Sequence, residues 1–370
     1  MAGEWKEYLR DPFLNRLYEA VKAAGTLRSI VVDLTHVCNL RCQGCYFFAE
    51  DMDDRKAPKD EAEFDAFVER ELARKTNFVT AVGGEPSLML ARLKKLYDHF
   101  YLSTATNGLR RIPLEGFENL GIGVSVWGDH ATDTVLRGNG KLDVFERGLQ
   151  NYRNDRRAIW YYTTTPGNVR EIASVTEQCV ANGNFVAFNY YGDLENIGGT
   201  CAGSFEGVRR EVDRMIDRFP GSILTSTYIN EVTTTNTLLG ERWGHDVCCT
   251  ITPDHPVNAE RVRNGHPFNP HFRAYNSDLK TTRRCCVGIE SDCDKCYNVY
   301  ARFSWIMTNL ERHLATKKDF TNWVTSLYLF YLGNRIVDFE EGVALLPELH
   351  DRLRTLRDGA TGISVAAAAS

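Results

Sequence analysis

The sequence predicts an α/β fold: a partial (β/α)6 barrel of the TIM type, with a Cys-rich C-terminal extension and terminal helices. Three observations predict it. Six short apolar runs rich in β-branched residues recur between residues 28 and 191, and segments with apolar residues at helical spacing fall between most of them. Such alternation favours parallel strands, because each crossover helix returns the chain to the same end of the sheet. A closed eight-stranded barrel takes about 250 residues, whereas residues 28–229 supply six units and a candidate seventh strand near Ile223–Tyr228. The barrel is therefore expected to stay open, with ligand groups at the carboxyl ends of its strands.

Residues 1–27 read as a helical lead-in, with Trp5, Leu9, Phe13, Leu14, Leu17 and Val21 at helical spacing. The barrel, residues 28–229, has strands at 29–34, 78–82, 100–105, 121–126, 159–165 and 185–191. Asp60 with Glu63 resembles a capping box ahead of a helix bearing Phe64, Phe67, Val68 and Leu72. A second helix carries Leu142, Val144, Phe145, Leu149 and Tyr152. A third carries Val169, Ile172, Val175 and Cys179, which makes Cys179 a packing residue. Residues 230–300 are rich in Thr, Asn, His, Pro and Cys without a long periodic segment, so bound metal is the expected source of order. Helices resume over 301–370, and the Ala-rich end, Ala366–Ala369, is expected to fray.

Composition narrows the class. The 370 residues include 44 Lys and Arg against 49 Asp and Glu, a net charge of −5, so nucleic acid is not an expected partner. Pairs such as Arg110-Arg111, Arg156-Arg157 and Arg209-Arg210 are scattered over the chain. No apolar run reaches the roughly 18 residues of a membrane helix. The opening MAGEWKEYLRD lacks an apolar signal core, so a cytoplasmic location without a membrane partner is expected. Eleven cysteines in such a chain speak against a disulfide framework and for metal or redox chemistry. Two stand alone, Cys179 and Cys201. The other nine fall into two groups.

The first group is Cys38, Cys42 and Cys45, spaced CxxxCxxC just past the first strand. Structural zinc takes four ligands, usually as CxxC pairs, so three at this spacing fit it poorly. Three thiolates suit a [4Fe–4S] cluster with one iron left open. The next strand ends in Val82-Gly83-Gly84-Glu85-Pro86, where glycines allow close backbone approach and a carboxylate can pair with an ammonium group. Thr104–Gly108 ends the third strand in Thr-Asn-Gly. Val124-Ser125-Val126-Trp127-Gly128-Asp129 ends the fourth, ahead of Leu136-Arg137-Gly138.

This ordered series resembles the radical S-adenosylmethionine (SAM) enzymes over residues 28–225. Two departures stand out. Trp127-Gly128 is inserted where the family often has Asp-Gly. Gly44 occupies the place of an aromatic residue near the adenine, with Tyr46 and Phe47 as the nearest substitutes. The resemblance implies a [4Fe–4S] cluster on Cys38, Cys42 and Cys45, with S-adenosyl-L-methionine on the fourth iron. It further implies that Glu85 and the Gly83-Gly84 backbone orient the amino group of SAM, by bonds worth roughly 1.5–3 kcal/mol. Ser125 and Asn107 are then candidates for the ribose hydroxyls and Asn189 for the adenine edge. Reductive cleavage of SAM gives a 5′-deoxyadenosyl radical that abstracts hydrogen from a substrate, with the electron coming from an external flavodoxin- or ferredoxin-type reductant.

The second group lies at Cys248, Cys249, Cys285, Cys286, Cys293 and Cys296. The Cys293–Cys296 pair is a CxxC pincer. With Cys286 and Cys249, or the alternatives Cys285 and Cys248, it offers four sulfurs to a zinc ion or a second [4Fe–4S] cluster. The resemblance favours an auxiliary cluster of the SPASM or twitch type, although the spacing does not reproduce a full SPASM series. A spare thiol, Cys249 or Cys286, is a candidate hydrogen-atom donor. His245, His255, His266 and His271 share the region, while His36 and His130 are expected near the barrel mouth. Trp127, Tyr161, Tyr162, Tyr190 and Tyr191 are candidates for its wall, although as alternating strand residues some must face helices.

The leading expectation is thus a radical SAM enzyme of oxidoreductase or transferase type acting on a small molecule, in specialised metabolism. The alternatives are a peptide maturase or epimerase with a Cys hydrogen donor and, from another class, a non-catalytic iron–sulfur or zinc protein.

Overall fold

A computed structural model of the chain describes residues 4–49, 51–192, 203–235, 271–283 and 296–367. Six strands run parallel in sequence order: β1 (Arg28–Thr35), β2 (Phe78–Gly83), β3 (Tyr101–Thr106), β4 (Gly121–Val126), β5 (Ala158–Thr164) and β6 (Phe185–Tyr190). On the free edge of β1 lies β7 (His271–Tyr275), also parallel, followed by the short antiparallel β8 (Thr282–Arg283). The sheet order is therefore β6-β5-β4-β3-β2-β1-β7-β8, and no described strand joins β6 to β8. The fold is α/β with an open, mostly parallel sheet.

The seventh parallel strand is not where the sequence placed it. Ile223 makes one isolated bridge to Val186. Ser226 then caps a helix, Thr227–Thr234, by accepting from Ile229 N, so the chain turns away before a strand can extend. A seventh parallel strand, His271–Tyr275, lies instead on the opposite edge of the sheet beside β1, inside the stretch that lacks periodic segments. The C-terminal helix spans Phe339–Ala367.

Strand alternation divides the side chains into two sets. Val32, Val79, Ile122, Val124, Trp160, Tyr162 and Val186 face outward and are buried under helices Glu61–Ala73, Leu90–Tyr97, Val144–Asn151, Ile172–Ala181 and Glu206–Arg218. Cys179 is fully buried in this layer. The link from β3 to β4 carries no helix, and Ile112, Phe117 and Leu120 fill that position. Inward-facing residues are small: Thr80, Ser103, Ala105, Gly123, Ser125 and Ala187. They leave room for a cavity. At the strand starts, Phe78, Ile159 and Phe185 join a second core built on helices Pro12–Ala24, Lys317–Gly333 and Phe339–Ala367. Lys317–Gly333 is buried at every position from Phe320 to Leu332, a stretch that carries no charge and whose Thr325 and Ser326 hydroxyls donate back to the helix backbone.

Buried polar ties hold β7 and β8 to the barrel. Tyr275 Oη donates to Glu71 Oε1 (2.7 Å), and Thr76 Oγ1 donates to Glu71 Oε2 (2.9 Å). Arg283 forks onto Asp33 of β1 at 2.5 and 3.0 Å, with neither side chain more than 2% exposed. Among the described residues no helix is long and apolar enough to cross a membrane.

Candidate functional site

A cavity of about 400 Å³ lies within the sheet's inward face and reaches the carboxyl ends of β1 to β6. Its upper rim is the loop after β1. Cys38, Cys42 and Cys45 all line it, as do Gly83, Gly84, Glu85, Asn107, Ser125 and Asn189. The expected site residues of the barrel are thus brought to one space from five strand ends.

The loop is shaped by backbone contacts that require glycine. Gly84 N donates to Thr35 O (2.8 Å) and Glu85 N to Val37 O (2.9 Å), immediately before Cys38. A Cβ on Gly84 would stand 2.1 Å from Val37 O, and one on Gly83 2.8 Å from Asp33 Cα. The two glycines therefore admit the backbone that leads into the cysteine loop, and both also line the cavity, where the sequence expects a ligand.

Each sulfur has its own donors. Leu40 N donates to Cys38 Sγ (3.4 Å), and Asn107 Nδ2 approaches the same sulfur at 3.9 Å. The charge of Arg137 pulls the Cys42 thiol down, and the backbone amides of Phe47 and Phe48 pull that of Cys45 down. Burial still dominates, pushing the Cys38 and Cys45 thiols up to about 11 and Cys42 upward as well. Thiolates here need a compensating cation. Among the described residues no three Cys, His, Asp or Glu side chains converge to hold a single metal ion. Zinc–sulfur bonds of about 2.3 Å would demand such convergence. A donor set of three thiols along one rim fits a multi-iron cluster better than one ion.

Glu85 is only 1% exposed and holds three bonds: Thr106 Oγ1 (2.6 Å), Asn107 N (2.8 Å) and Ser87 N (3.0 Å). An ionised carboxylate has about four acceptor positions, so one remains for a ligand. Asn107, expected at the ribose, lines the cavity. Its Nδ2 is engaged with Asn39 Oδ1 (2.7 Å) as well as with Cys38. Ser125 and Asn189 keep side chains on the cavity wall.

The aromatic candidates separate by strand face. Trp127, Tyr161 and Tyr191 line the cavity, Tyr162 faces outward into the helix-covered core, and Tyr190 shares that outward face, its Oη donating to Asn230 Oδ1 (2.6 Å), while still reaching the cavity's edge. Trp127 packs on Tyr191 with ring centroids 5.3 Å apart, and Tyr191 Oη donates to Gly44 O (3.1 Å), which ties the end of β6 to the cysteine loop. Neither histidine expected near the mouth lines the cavity. His36 Nδ1 accepts from Ala57 N (3.0 Å), and His130 bridges Asp143 (2.9 Å) and Gln178 (2.8 Å).

Sequence reasoning missed several wall residues. Tyr297, Asn298 and Tyr300 enter at the start of helix Val299–Thr308, and Phe330 and Asn334 come from the end of Lys317–Gly333. Only spatial packing brings these late segments under the barrel. Arg137, present as a motif member, proves to be a fully buried cation paired with Asp133 (3.1 Å). In the second cysteine group, Cys296 lines the cavity and its carbonyl accepts from Arg302 Nη2 (2.7 Å). Cys248, Cys249, Cys285, Cys286 and Cys293 lie outside the described residues, as do Cys201, His245, His255 and His266.

No protein-family model matches the chain, and no curated protein sequence does. Among solved structures it is similar to Streptococcus suis SuiB bound to S-adenosylmethionine, at 12% identity and TM-score 0.47 over 76% of this chain and 67% of that one. It is similar to SuiB bound to precursor peptide SuiA, at 11% identity and TM-score 0.46 over 79% and 68%. A third similar structure is anSMEcpe with bound AdoMet and Cp18Cys peptide, at 17% identity and TM-score 0.47 over 79% and 83%.

Proposed function

We propose that this chain is a radical SAM enzyme, and one observation carries the reading. Cys38, Cys42 and Cys45, the Gly83-Gly84-Glu85 turn, and the ends of β3 and β4 all border a single cavity at the carboxyl ends of parallel strands. When bound, a [4Fe–4S] cluster and SAM would supply one-electron cleavage of the sulfonium and a hydrogen-abstracting radical. The chain's own residues hold and exclude. The three cysteines hold the cluster, and the remaining acceptor position of Glu85 takes the ammonium group of SAM. Ser125 and Asn189 face the adenosine portion. Trp127 and Tyr191 keep water from the reacting atoms. An external flavodoxin- or ferredoxin-type protein supplies the electron. Cys249, Cys286, Cys293 and Cys296, with Cys248 and Cys285 as alternatives, are kept as ligands of a second cluster.

The small-molecule substrate expected from the sequence gains no support from the similar structures, two of which hold a peptide. The test of the reading is direct. Reconstituted protein, reduced in the presence of SAM, releases 5′-deoxyadenosine, and changing Cys38, Cys42 and Cys45 together to Ala abolishes release. That variant keeps about four irons per chain if the second cluster forms. A normally formed cluster that leaves SAM intact would sink the proposal.

A further inference from the structure

The cavity has two levels. Toward the carboxyl ends of the strands it is bordered by the groups assigned to the cluster and SAM, the three cysteines with Glu85, Ser125 and Asn189. It also runs on toward the strand starts. Ala187 lies two residues below Asn189 on β6, and Tyr161 stands beside it in register on β5, two residues below Thr163. Two residues of parallel strand span about 7 Å. Val31, Thr80 and Ser103, in register across β1 to β3, line this lower level together with Ile159 of β5. Its floor is a cluster of rings from two late helices. Phe330 packs against Tyr300, with centroids 5.7 Å apart, and against Phe303, at 5.2 Å.

Charge is confined to the upper level. Among the described residues that line the cavity, only Glu85 and Arg137 are charged, and Arg137 is already paired with Asp133. On the floor, Tyr300 Oη donates to Asn334 Oδ1 (3.2 Å) and Asn334 Nδ2 to Phe330 O (2.8 Å), so the Asn334 amide is engaged on both sides. Tyr161 is different. Its ring leans over Gly123, where a Cβ would lie 2.1 Å from Cε2, and so tips from its register partner Ser125 toward the floor. Its hydroxyl has no hydrogen-bond partner among the described residues, and burial pushes its pKa up, so it stays a donor. An ionised group entering this level would leave water without a counter-charge, which is costly. An apolar group is driven in, and one neutral oxygen on it can accept from Tyr161. Removing a hydrogen atom from carbon transfers no net charge, so uncharged walls suffice for it.

We propose that the lower level is the substrate pocket, that it takes an uncharged, mainly apolar group bearing a neutral oxygen acceptor, and that Tyr161 orients this group. The proposal rests on the radical SAM reading and adds to it the chemical class of the substrate.

The test is equilibrium dialysis of the reconstituted, unreduced protein against three probes of one shape: neutral acetophenone, anionic benzoate and cationic benzamidine. Acetophenone should bind saturably at one site, with and without SAM, and the two ions at least about tenfold more weakly. Tyr161→Phe removes the hydroxyl and keeps the ring. It should weaken acetophenone about fivefold and leave toluene, which has no oxygen, unchanged. The charge series uses the wild-type chain and so stands even if the variant does not fold. Equal binding of the three probes, no binding of acetophenone, or its displacement by SAM overturns the pocket. A Tyr161→Phe variant that weakens toluene as much as acetophenone overturns the part given to the hydroxyl. Any of these results in a protein that still releases 5′-deoxyadenosine from SAM overturns this proposal alone. A protein with a normally formed cluster that never cleaves SAM overturns the enzymatic reading, and the assignment of the pocket to a substrate falls with it.

Discussion

Replacing Arg283 with Met strands the Asp33 carboxylate inside the protein. The guanidinium makes two bonds to Asp33, at 2.5 and 3.0 Å, and Nη1 also donates to Tyr275 O (3.1 Å). Exposure of the two side chains is 2% and 0%, so water cannot take over. Breaking a buried pair from one side costs about 3–5 kcal/mol, because the remaining charge is uncompensated. Removing both charges, as in Asp33→Leu with Arg283→Met, should recover most of that loss. The sign with pH follows from Asp33, whose pKa burial already raises against the opposing pull of Arg283. Without Arg283 it rises further. The native state then binds a proton that the unfolded chain does not, so stability is retained at low pH and lost as pH rises. Urea unfolding of wild type, both single variants and the double variant would measure this, with the Arg283→Met deficit smaller at pH 5 than at pH 7.5. A single variant within about 1 kcal/mol of wild type at neutral pH, or a double variant no better than the single, refutes the reasoning.

Other perturbations read other contacts. Gly84→Ala forces a methyl group against Val37 O and should cost about 1–3 kcal/mol in urea unfolding, whereas Gly333→Ala, with open space around the added carbon, should be neutral or mildly stabilising. Gly123→Ala sets its methyl 2.1 Å from Tyr161 Cε2. Its loss of about 1–3 kcal/mol should largely disappear when Tyr161 is also cut to Ala, and strict additivity would show that the ring is not the obstacle. His313 is fully buried, accepts from Tyr228 Oη at Nε2 (2.7 Å), and is pushed by burial down to about 4. Because the unfolded chain binds the proton first, stability should fall as pH drops from about 6.5 to 4, by about 3 kcal/mol from this group. Asp213, raised by burial to about 6, works in the opposite sense. His313→Gln therefore isolates the histidine, and an unchanged acid slope in that variant would count against this account.

Strands β1 to β6 were legible because each is a short run rich in apolar and β-branched residues whose outward positions are buried and whose inward positions mostly line the half-buried cavity. Helix Glu61–Ala73 was legible from Asp60 and its apolar spacing. By contrast β7, with the sequence His-Phe-Arg-Ala-Tyr, is short and mixed. What makes it a strand is the open edge of β1 and the bonds from Tyr275 to the Glu71 region, which no local pattern encodes. At the site, the cysteines and glycines were legible from spacing, but their partners were not. That Gly83 and Gly84 accommodate backbone, that Asn107 faces a sulfur, and that Tyr162 points away from the cavity all depend on which segments meet in space.

The placement of β7 also bears on how the chain is made. About 240 residues separate β1 from the strand that covers its second edge. At about 5–20 residues per second, the ribosome needs roughly 12–48 s to deliver that strand after β1 has emerged. Throughout this interval β1 offers an unpaired row of amides and carbonyls, and Asp33 has no guanidinium. An exposed parallel edge is a ready template for another nascent chain. Until Arg283 is made, the Asp33 carboxylate in β1 lacks the cation that compensates it in the folded chain, and a charge on an open edge disfavours pairing with another strand.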